Sequence, residues 1–282
     1  MQDVNRAGKP GSGQSSIHIE NLGITLGGVE IVHDFSLDIE PGQFVCILGP
    51  SGCGKSTVLN AIAGFLPATK GRILLNGREI RGPGAERGIV FQSTECLFPW
   101  LTVRENVEYG LRARGVPKEA RRKAAEYYIK LVALEHAADR FPSQISGGMQ
   151  QRAQIARVLV NEPSVVLMDE PFGALDAQTR GVMQTELNRI WRSTGATIVF
   201  ITHDIGESIL LGDVVVTMTA GPRASIRSIT RVPFDHPRDL AAPGELSLYR
   251  KLRADIEMEV RTALGLGPAL PASDRSQQAR VS

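Results

Sequence analysis

From Ile17 the chain alternates apolar and polar positions in short runs, Ile17 to Glu20, Gly28 to Val32 and Phe35 to Ile39, with glycine-containing turns between them. A period of two between turn residues predicts an opening antiparallel sheet. The pattern then changes. Phe44 to Leu48 is a short unbroken apolar run, followed by a glycine-rich loop and by Lys55 to Phe65, where Val58, Leu59, Ile62 and Phe65 recur at helical spacing. This predicts a strand, a loop and a helix. Further strands are expected over Arg72 to Leu75 and Gly88 to Gln92, with Asn76-Gly77 as the hairpin turn between Leu75 and Arg78.

Between Trp100 and Arg140 the spacing turns helical, over Val103 to Leu111 and again over Lys118 to Leu134, where Tyr128, Leu131 and Val132 share a side. This reads as a helical insertion. Beyond it helix and strand alternate: helix Ser146 to Val160, strand Val165 to Met168, helix Ala177 to Ser193, strand Thr197 to Thr202, helix Ile205 to Leu211, strand Asp213 to Thr219. Such alternation predicts an α/β fold with a mostly parallel sheet covered on both faces. After Pro233 the chain is Pro-rich and polar except for Leu248, Leu252, Ile256, Val260 and Leu264 at i, i+4 spacing, most simply a helix docked on its own domain. The expected division is a loose polar tail over 1–16, a main domain over 17–232 with the helical insertion at about 95–160, and an extension over 233–282.

Composition narrows the classes. The 282 residues carry 32 Lys+Arg against 30 Asp+Glu, a net charge of +2, with 42% apolar residues. That is ordinary globular composition, and it argues against a nucleic-acid protein held by bulk charge. Three cysteines, Cys46, Cys53 and Cys96, make no disulfide framework or zinc motif and suit a reducing compartment. No run approaches the roughly 20 apolar residues of a membrane-spanning helix. The expectation is a soluble chain that meets membranes only through a partner.

The candidate chemistry lies where strands end. Gly49, Pro50, Ser51, Gly52, Cys53, Gly54, Lys55, Ser56 and Thr57 fit G-x-x-x-x-G-K-[ST] between a predicted strand and a predicted helix. Small residues let backbone N–H groups, Cys53's included, turn onto phosphates, and the helix N-terminus adds partial positive charge. Lys55 would reach the β- and γ-phosphates of a nucleoside triphosphate, and the Ser56 hydroxyl would ligate Mg²⁺. A second apolar strand ends in Asp169-Glu170. Strand ends of a parallel sheet share one edge, so Asp169 would hold Mg²⁺ and Glu170 would polarise a water. Gln92, placed to touch Mg²⁺ or that water, and His203, placed to bond the γ-phosphate, follow two other strands. Ser146, Gly147, Gly148 and Gln150 open a helix with a cap and two bare N–H groups, a second anion site.

The ordered set from Ile17 to Ser228 resembles the nucleotide-binding subunit of an ABC transporter. The phosphate loop is Gly49 to Thr57, the Q-loop carries Gln92, the signature is Ser146 to Gln150, the Walker B pair is Asp169 and Glu170, the D-loop is Ala174-Leu175-Asp176, and the switch is His203. Such an ATPase has a P-loop NTPase core, an N-terminal antiparallel β subdomain and an inserted α-helical subdomain. The resemblance implies ATP and Mg²⁺ as ligands and two subunits packed head to tail. Each ATP would lie between one phosphate loop and the other subunit's Ser146, Gly147 and Gly148, with Asp176 coupling the sites. It also implies transmembrane permease subunits, reached through the helical subdomain and the loop after Gln92, at the cytoplasmic face of the inner membrane.

Within that family, Phe98-Pro99-Trp100-Leu101-Thr102-Val103 and Ile201 to Ser208 resemble the ATPases of nitrate, sulfonate, taurine and bicarbonate importers. Those work with a separate permease and a periplasmic or extracellular solute-binding protein, and the absence of a large regulatory domain after the core agrees with them. Two positions depart from the pattern. Leu26 stands where the family usually stacks an aromatic on adenine, and Ile145 opens the signature in place of Leu. An ABC-type ATPase of DNA repair would instead split its halves with long coiled coils. No sustained heptad repeat lies between Lys55 and Asp169.

Overall fold

The computed structural model describes residues 15–93 and 96–266. Among these residues, ten strands form two sheets. β1 (Ile17–Leu26), β2 (Val29–Ile39), β4 (Lys70–Leu75) and β5 (Arg78–Glu79) make an antiparallel sheet in the order β2-β1-β4-β5. β3 (Phe44–Leu48), β6 (Arg87–Val90), β7 (Val165–Asp169), β8 (Thr197–Ile201), β9 (Val214–Met218) and β10 (Ile226–Arg231) make the second, in the order β10-β9-β3-β8-β7-β6. It is parallel throughout except for β10, which runs antiparallel to β9 at one edge.

Every residue of β3, β7, β8 and β9 is buried. Successive side chains on a strand point to opposite faces, so these unbroken apolar runs feed two cores at once. Val45, Ile47, Leu167, Val199 and Val216 pack toward α1 (Lys55–Ala63) and the antiparallel sheet. Phe44, Cys46, Val166, Met168, Ile198 and Phe200 pack toward the remaining helices, α2 (Val103–Ala113), α3 (Lys118–Leu131), α4 (Gly147–Leu159), α5 (Ala177–Thr194), α6 (Ile205–Leu211) and α7 (Pro243–Ala263). Each such Val, Ile or Leu contributes about 1.5–3 kcal/mol by leaving water. This is the two-faced α/β architecture expected from the sequence.

Four local readings change. The three opening runs are two long strands, because a residue is inserted in each: Leu22 pairs with Phe35 between register shifts on either side, and Asn21 (φ 45°) and Asp34 (φ 46°) sit in the left-handed region within them. Asn and Asp tolerate that conformation, so a bulge replaces a turn. The run Gly88 to Gln92 forms a strand only to Val90. The helix from Lys118 stops at Leu131, since Ala133 turns to φ 53°. β10 was not expected, because its two apolar residues, Ile226 and Ile229, stand three apart among Arg, Ser and Thr and show no period of two.

The final helix does dock on its own domain. Leu252 is fully buried, with Leu248, Tyr249 and Ile256 packed beside it. The expected stripe bends away at its end: Val260 and Leu264 are exposed, and Glu259 is buried in their place. A straight helix drifts about the axis at i, i+4 spacing, so a five-member row leaves its seam.

Candidate active site

β3, β8, β7 and β6 are neighbours, paired so that Ile47 aligns with Ile201, Asp169 with Ile201 and Val90 with Met168. Their carboxyl ends therefore lie level at one edge. The loop from Gly49, the segment to Gln92, the Asp169-Glu170 pair and His203 all leave from that edge.

The phosphate loop is shaped by glycines that cannot be replaced freely. Gly54 caps α1 at φ 98°, and a Cβ there would meet Ile31 Cγ2 at 3.0 Å. Only glycine suits both the left-handed backbone and the close approach of β2. Lys55 is buried, and its ammonium donates to the carbonyls of Gly49 (2.8 Å) and Pro50 (2.9 Å). The charge is thus folded back over the cradle. The Cys53 N–H makes a long turn bond to Pro50 O at 3.4 Å. Burial raises the Cys53 thiol above its ordinary range, which disfavours the thiolate.

Burial also raises Asp169, against a hydrogen bond from Ser56 and the charge of Lys55, while the neighbouring Glu170 charge pushes further upward. Glu170 holds φ 44°, and its N–H donates to Ile201 O at 3.0 Å. A non-glycine residue there stores strain of about 1–3 kcal/mol, a feature that clusters at active sites. Its side chain collects the other candidates. Gln92 Nε2 donates to Glu170 Oε2 at 3.1 Å, and His203 Nδ1 lies 3.3 Å from the same oxygen. Three residues read from separate strand ends meet on one carboxylate.

Other contacts hold this group and went unread in the sequence. Gln151, buried in α4, donates from Nε2 to Glu170 O (3.2 Å) and accepts at Oε1 from Ala174 N–H (3.0 Å). Nothing in the local sequence marks Gln151 out, since its burial is set by the packing of α4 against the turn after β7. Behind His203, the Thr202 hydroxyl donates to the buried Glu207 (2.6 Å), which also accepts from Gln184 Nε2 (3.1 Å), and Asp204 caps α6 by accepting from the Glu207 N–H. Burial raises the Glu207 carboxyl. Together these bonds fix the turn that presents His203.

The second loop stands elsewhere on the chain. Ser146 caps α4 by accepting from Met149 N–H at 3.4 Å, and a Cβ added to Gly147 would meet nothing within 4 Å. Gln150 turns inward, donating to the carbonyls of Pro142 (2.9 Å) and Ile145 (3.4 Å). Asp176 caps α5 through the N–H groups of Gln178 and Thr179, and its hydrogen bonding with Thr179 lowers its carboxyl. In this chain Gln150 and Asp176 are thus engaged in local structure.

A family model described as "ABC transporter" matches residues 32–173. The chain is also 45% identical over 239 residues to a taurine import ATP-binding protein of Escherichia coli O157:H7, with 85% of this chain and 91% of the relative covered. The chain belongs to the ABC transporter ATP-binding family. It is 45% identical over 236 residues to an uncharacterized ABC transporter ATP-binding protein of Methanocaldococcus jannaschii, covering 84% of this chain and 88% of that one. Among solved structures, a dimeric ATP-binding cassette in a post-hydrolysis state, bound to ADP and Pi, matches with a TM-score of 0.70 at 31% identity over 78% of this chain and 100% of the other. This ABC ATPase therefore has the α/β P-loop NTPase fold that its motifs implied.

Proposed function

We propose that this ABC ATPase powers import of a small anion of the nitrate, sulfonate or taurine class through a separate permease, with Glu170 as the general base of ATP hydrolysis. The convergence of Gln92 and His203 on Glu170 Oε2 carries the catalytic part. A base must be held within hydrogen-bond reach of the water it activates and aimed by its neighbours. Glu170 takes the proton, Gln92 orients the carboxylate and the water, and His203 supplies a donor toward the γ-phosphate. Lys55, released from its loop carbonyls, pairs with the phosphates, and the N–H groups of the Gly49 to Thr57 loop take up their remaining charge.

The oxygen donors beside the loop fit Mg²⁺: the Ser56 hydroxyl hydrogen-bonded to Asp169, and the Gln92 Oε1 left free when its Nε2 serves Glu170. Bound there, magnesium would neutralise charge on the phosphate oxygens.

The open Ser146, Gly147 and Gly148 loop suits a second nucleotide-binding subunit, which would complete each ATP site in a head-to-tail dimer with Asp176 near the seam. A groove of about 480 Å³ lined by Phe91, Phe98, Tyr109, Arg114 and Arg157 suits a permease helix. Trp100, 70% exposed and packed on Phe98, stands in the segment whose sequence resembles that of the anion importers. No described helix is long and apolar enough to cross a membrane. Attachment to the cytoplasmic face of the inner membrane would run through permease contacts, and a periplasmic or extracellular binding protein would deliver the solute.

Glu170→Gln keeps the shape and the bond to Gln92 but removes the base. We expect ATP binding to persist, hydrolysis to fall by about 10²–10⁴-fold, and an ATP-dependent dimer to accumulate in size-exclusion chromatography. Near-normal turnover would remove Glu170 from this role. Affinity purification from the native membrane tests the transport role: a permease and a binding protein should co-purify, whereas DNA-repair partners without a permease would overturn it.

A further inference from the structure

The final helix is linked to the phosphate loop through a single turn. Glu259 on α7 is 4% exposed, and its Oε2 accepts a 2.8 Å bond from the N–H of Ala220, while its Oε1 pairs with Arg227. Arg227 extends the tie to α7 through Met258 Sδ at 3.0 Å. Ala220 begins the turn between β9 and β10, which is closed by Thr219 N–H to Ser225 O (3.0 Å) and Ser225 N–H to Thr219 Oγ1 (2.9 Å).

That turn backs onto the nucleotide cradle. Gly221 lies so close to it that an added Cβ would stand 3.2 Å from Gly52 O and 3.4 Å from Cys53 Cα. On its other side the turn is bonded to β2, through Ala224 N–H to Ile31 O (3.0 Å) and His33 N–H to Ala224 O (2.9 Å). Ile31 is in turn the residue that crowds Gly54. The turn therefore touches the loop directly at Gly52 and indirectly at Gly54. Burial is the main cause of the raised Cys53 thiol, and the Glu259 charge adds to it, which places that carboxylate within electrostatic range of the loop.

We infer that Glu259 is a positioning residue for ATP binding: it pins the turn from Thr219 to Ser225 against Gly52 and Cys53, making the C-terminal helix part of the nucleotide site. The inference rests on the reading of Gly49 to Thr57 as the ATP cradle. No other carboxylate bonds the Ala220 N–H among the described residues, and a half-buried N–H that loses its partner must turn toward water to find another, which moves the turn. The effect should fall on binding rather than on the chemical step, because Glu259 contacts none of Gln92, Glu170 or His203.

The test uses the full chain, with ATP affinity from equilibrium binding, kcat and KM from steady-state hydrolysis, and Tm from thermal melting. Glu259→Ala should raise Kd and KM for ATP by about 5–10-fold and leave kcat within about twofold, because the loop is displaced but the base is not. Glu259→Gln retains an acceptor for the Ala220 N–H and should restore most of the affinity. A lowered Tm with unchanged Kd and KM in Glu259→Ala would make the contact merely structural and overturn the inference. Should Glu259→Ala fail to fold, Glu259→Asp decides instead: it keeps the charge beside Arg227 but shortens the reach to Ala220, so raised Kd supports the inference and wild-type Kd overturns it. Lys55→Ala separates the two levels. If it binds ATP normally, the cradle reading fails; if it loses ATP while Glu259→Ala binds normally, only the role of Glu259 fails.

Discussion

Two glycine-rich loops each lead into a helix, Gly49 to Gly54 ahead of α1 and Ser146 to Gly148 at the start of α4, and the chain finishes one and leaves the other open. The first is hemmed in by β2 and by the β9–β10 turn, with a buried lysine already bonded to two of its carbonyls. The second has Ser146 and Gly147 exposed, and a Cβ on Gly147 would touch nothing. Glycine is thus used for backbone shape in one loop and for clearance in the other. A cradle must be formed before the ligand arrives, whereas a surface that closes on a bound ligand must stay free until its partner comes.

The sharpest break in this contrast is on the finished side. Burial and the Glu170 charge hold Asp169 above its ordinary value, so the folded chain binds its proton more readily than the unfolded chain does. Stability then falls as pH rises through the window between the ordinary aspartate value and the raised one, and the deficit persists at neutral pH. Asp169→Asn should therefore raise the Tm of the nucleotide-free protein by a few degrees while lowering Mg²⁺-dependent hydrolysis by about a thousandfold or more. A melting curve and an activity assay on one preparation check both. A lowered Tm would mean that the carboxylate stabilises this site rather than straining it.

On the open side the expected effects reverse. Gly147→Val places a branched side chain into empty space at a backbone conformation that any residue adopts, so Tm should stay within about 1–2 °C of wild type. ATP binding to the single subunit should also persist. Hydrolysis should drop by about 100-fold, because the added methyl groups would stand where a second subunit packs. Retained hydrolysis would show that this loop does not face a nucleotide.

Gln151 joins the two sides, since it leaves the signature helix and holds the backbone at Glu170 and Ala174. Gln151→Leu fills the same volume but leaves the Ala174 N–H without its partner and removes one of the two bonds to Glu170 O, which keeps the Gly173 N–H, at a cost of about 1–3 kcal/mol. We expect a lower Tm together with a roughly tenfold fall in kcat and little change in KM for ATP. A fall in Tm alone would reduce Gln151 to scaffolding.

What the sequence revealed follows from how local each signal is. The phosphate loop, the Asp169-Glu170 pair and the alternating strands and helices each lie within a few consecutive residues, and the parallel sheet brings their ends together by topology alone. Gln92 and His203 were legible as strand-end residues, but their meeting on Glu170 depends on the order of β6, β7 and β8. Gln151, Glu207 and Glu259 were illegible in kind. Each is a polar residue whose meaning comes from burial against a distant backbone group, and neither periodicity nor motif spacing registers that. The same limit split two strands into three runs, because a bulge at Asn21 or Asp34 looks in sequence like a turn.

Leu26 offers the smallest and most local test. It is 41% exposed at the tip of the β1–β2 hairpin, beside Gly27 and Gly28 with φ of 55° and 82°, and it pairs with the exposed Val29. The pair makes an aliphatic platform on the hairpin whose second strand crowds Gly54. An aliphatic side chain gives a base contact area but lacks the face-to-face geometry of an aromatic, a difference of about 0.5–1.5 kcal/mol. Leu26→Tyr should therefore lower the Kd for ATP by roughly 2–10-fold, leave kcat unchanged, and act equally on GTP, since stacking reads a purine face and not its edge. An unchanged Kd would move the base contact off this hairpin and leave the finished loop binding its nucleotide through phosphates alone.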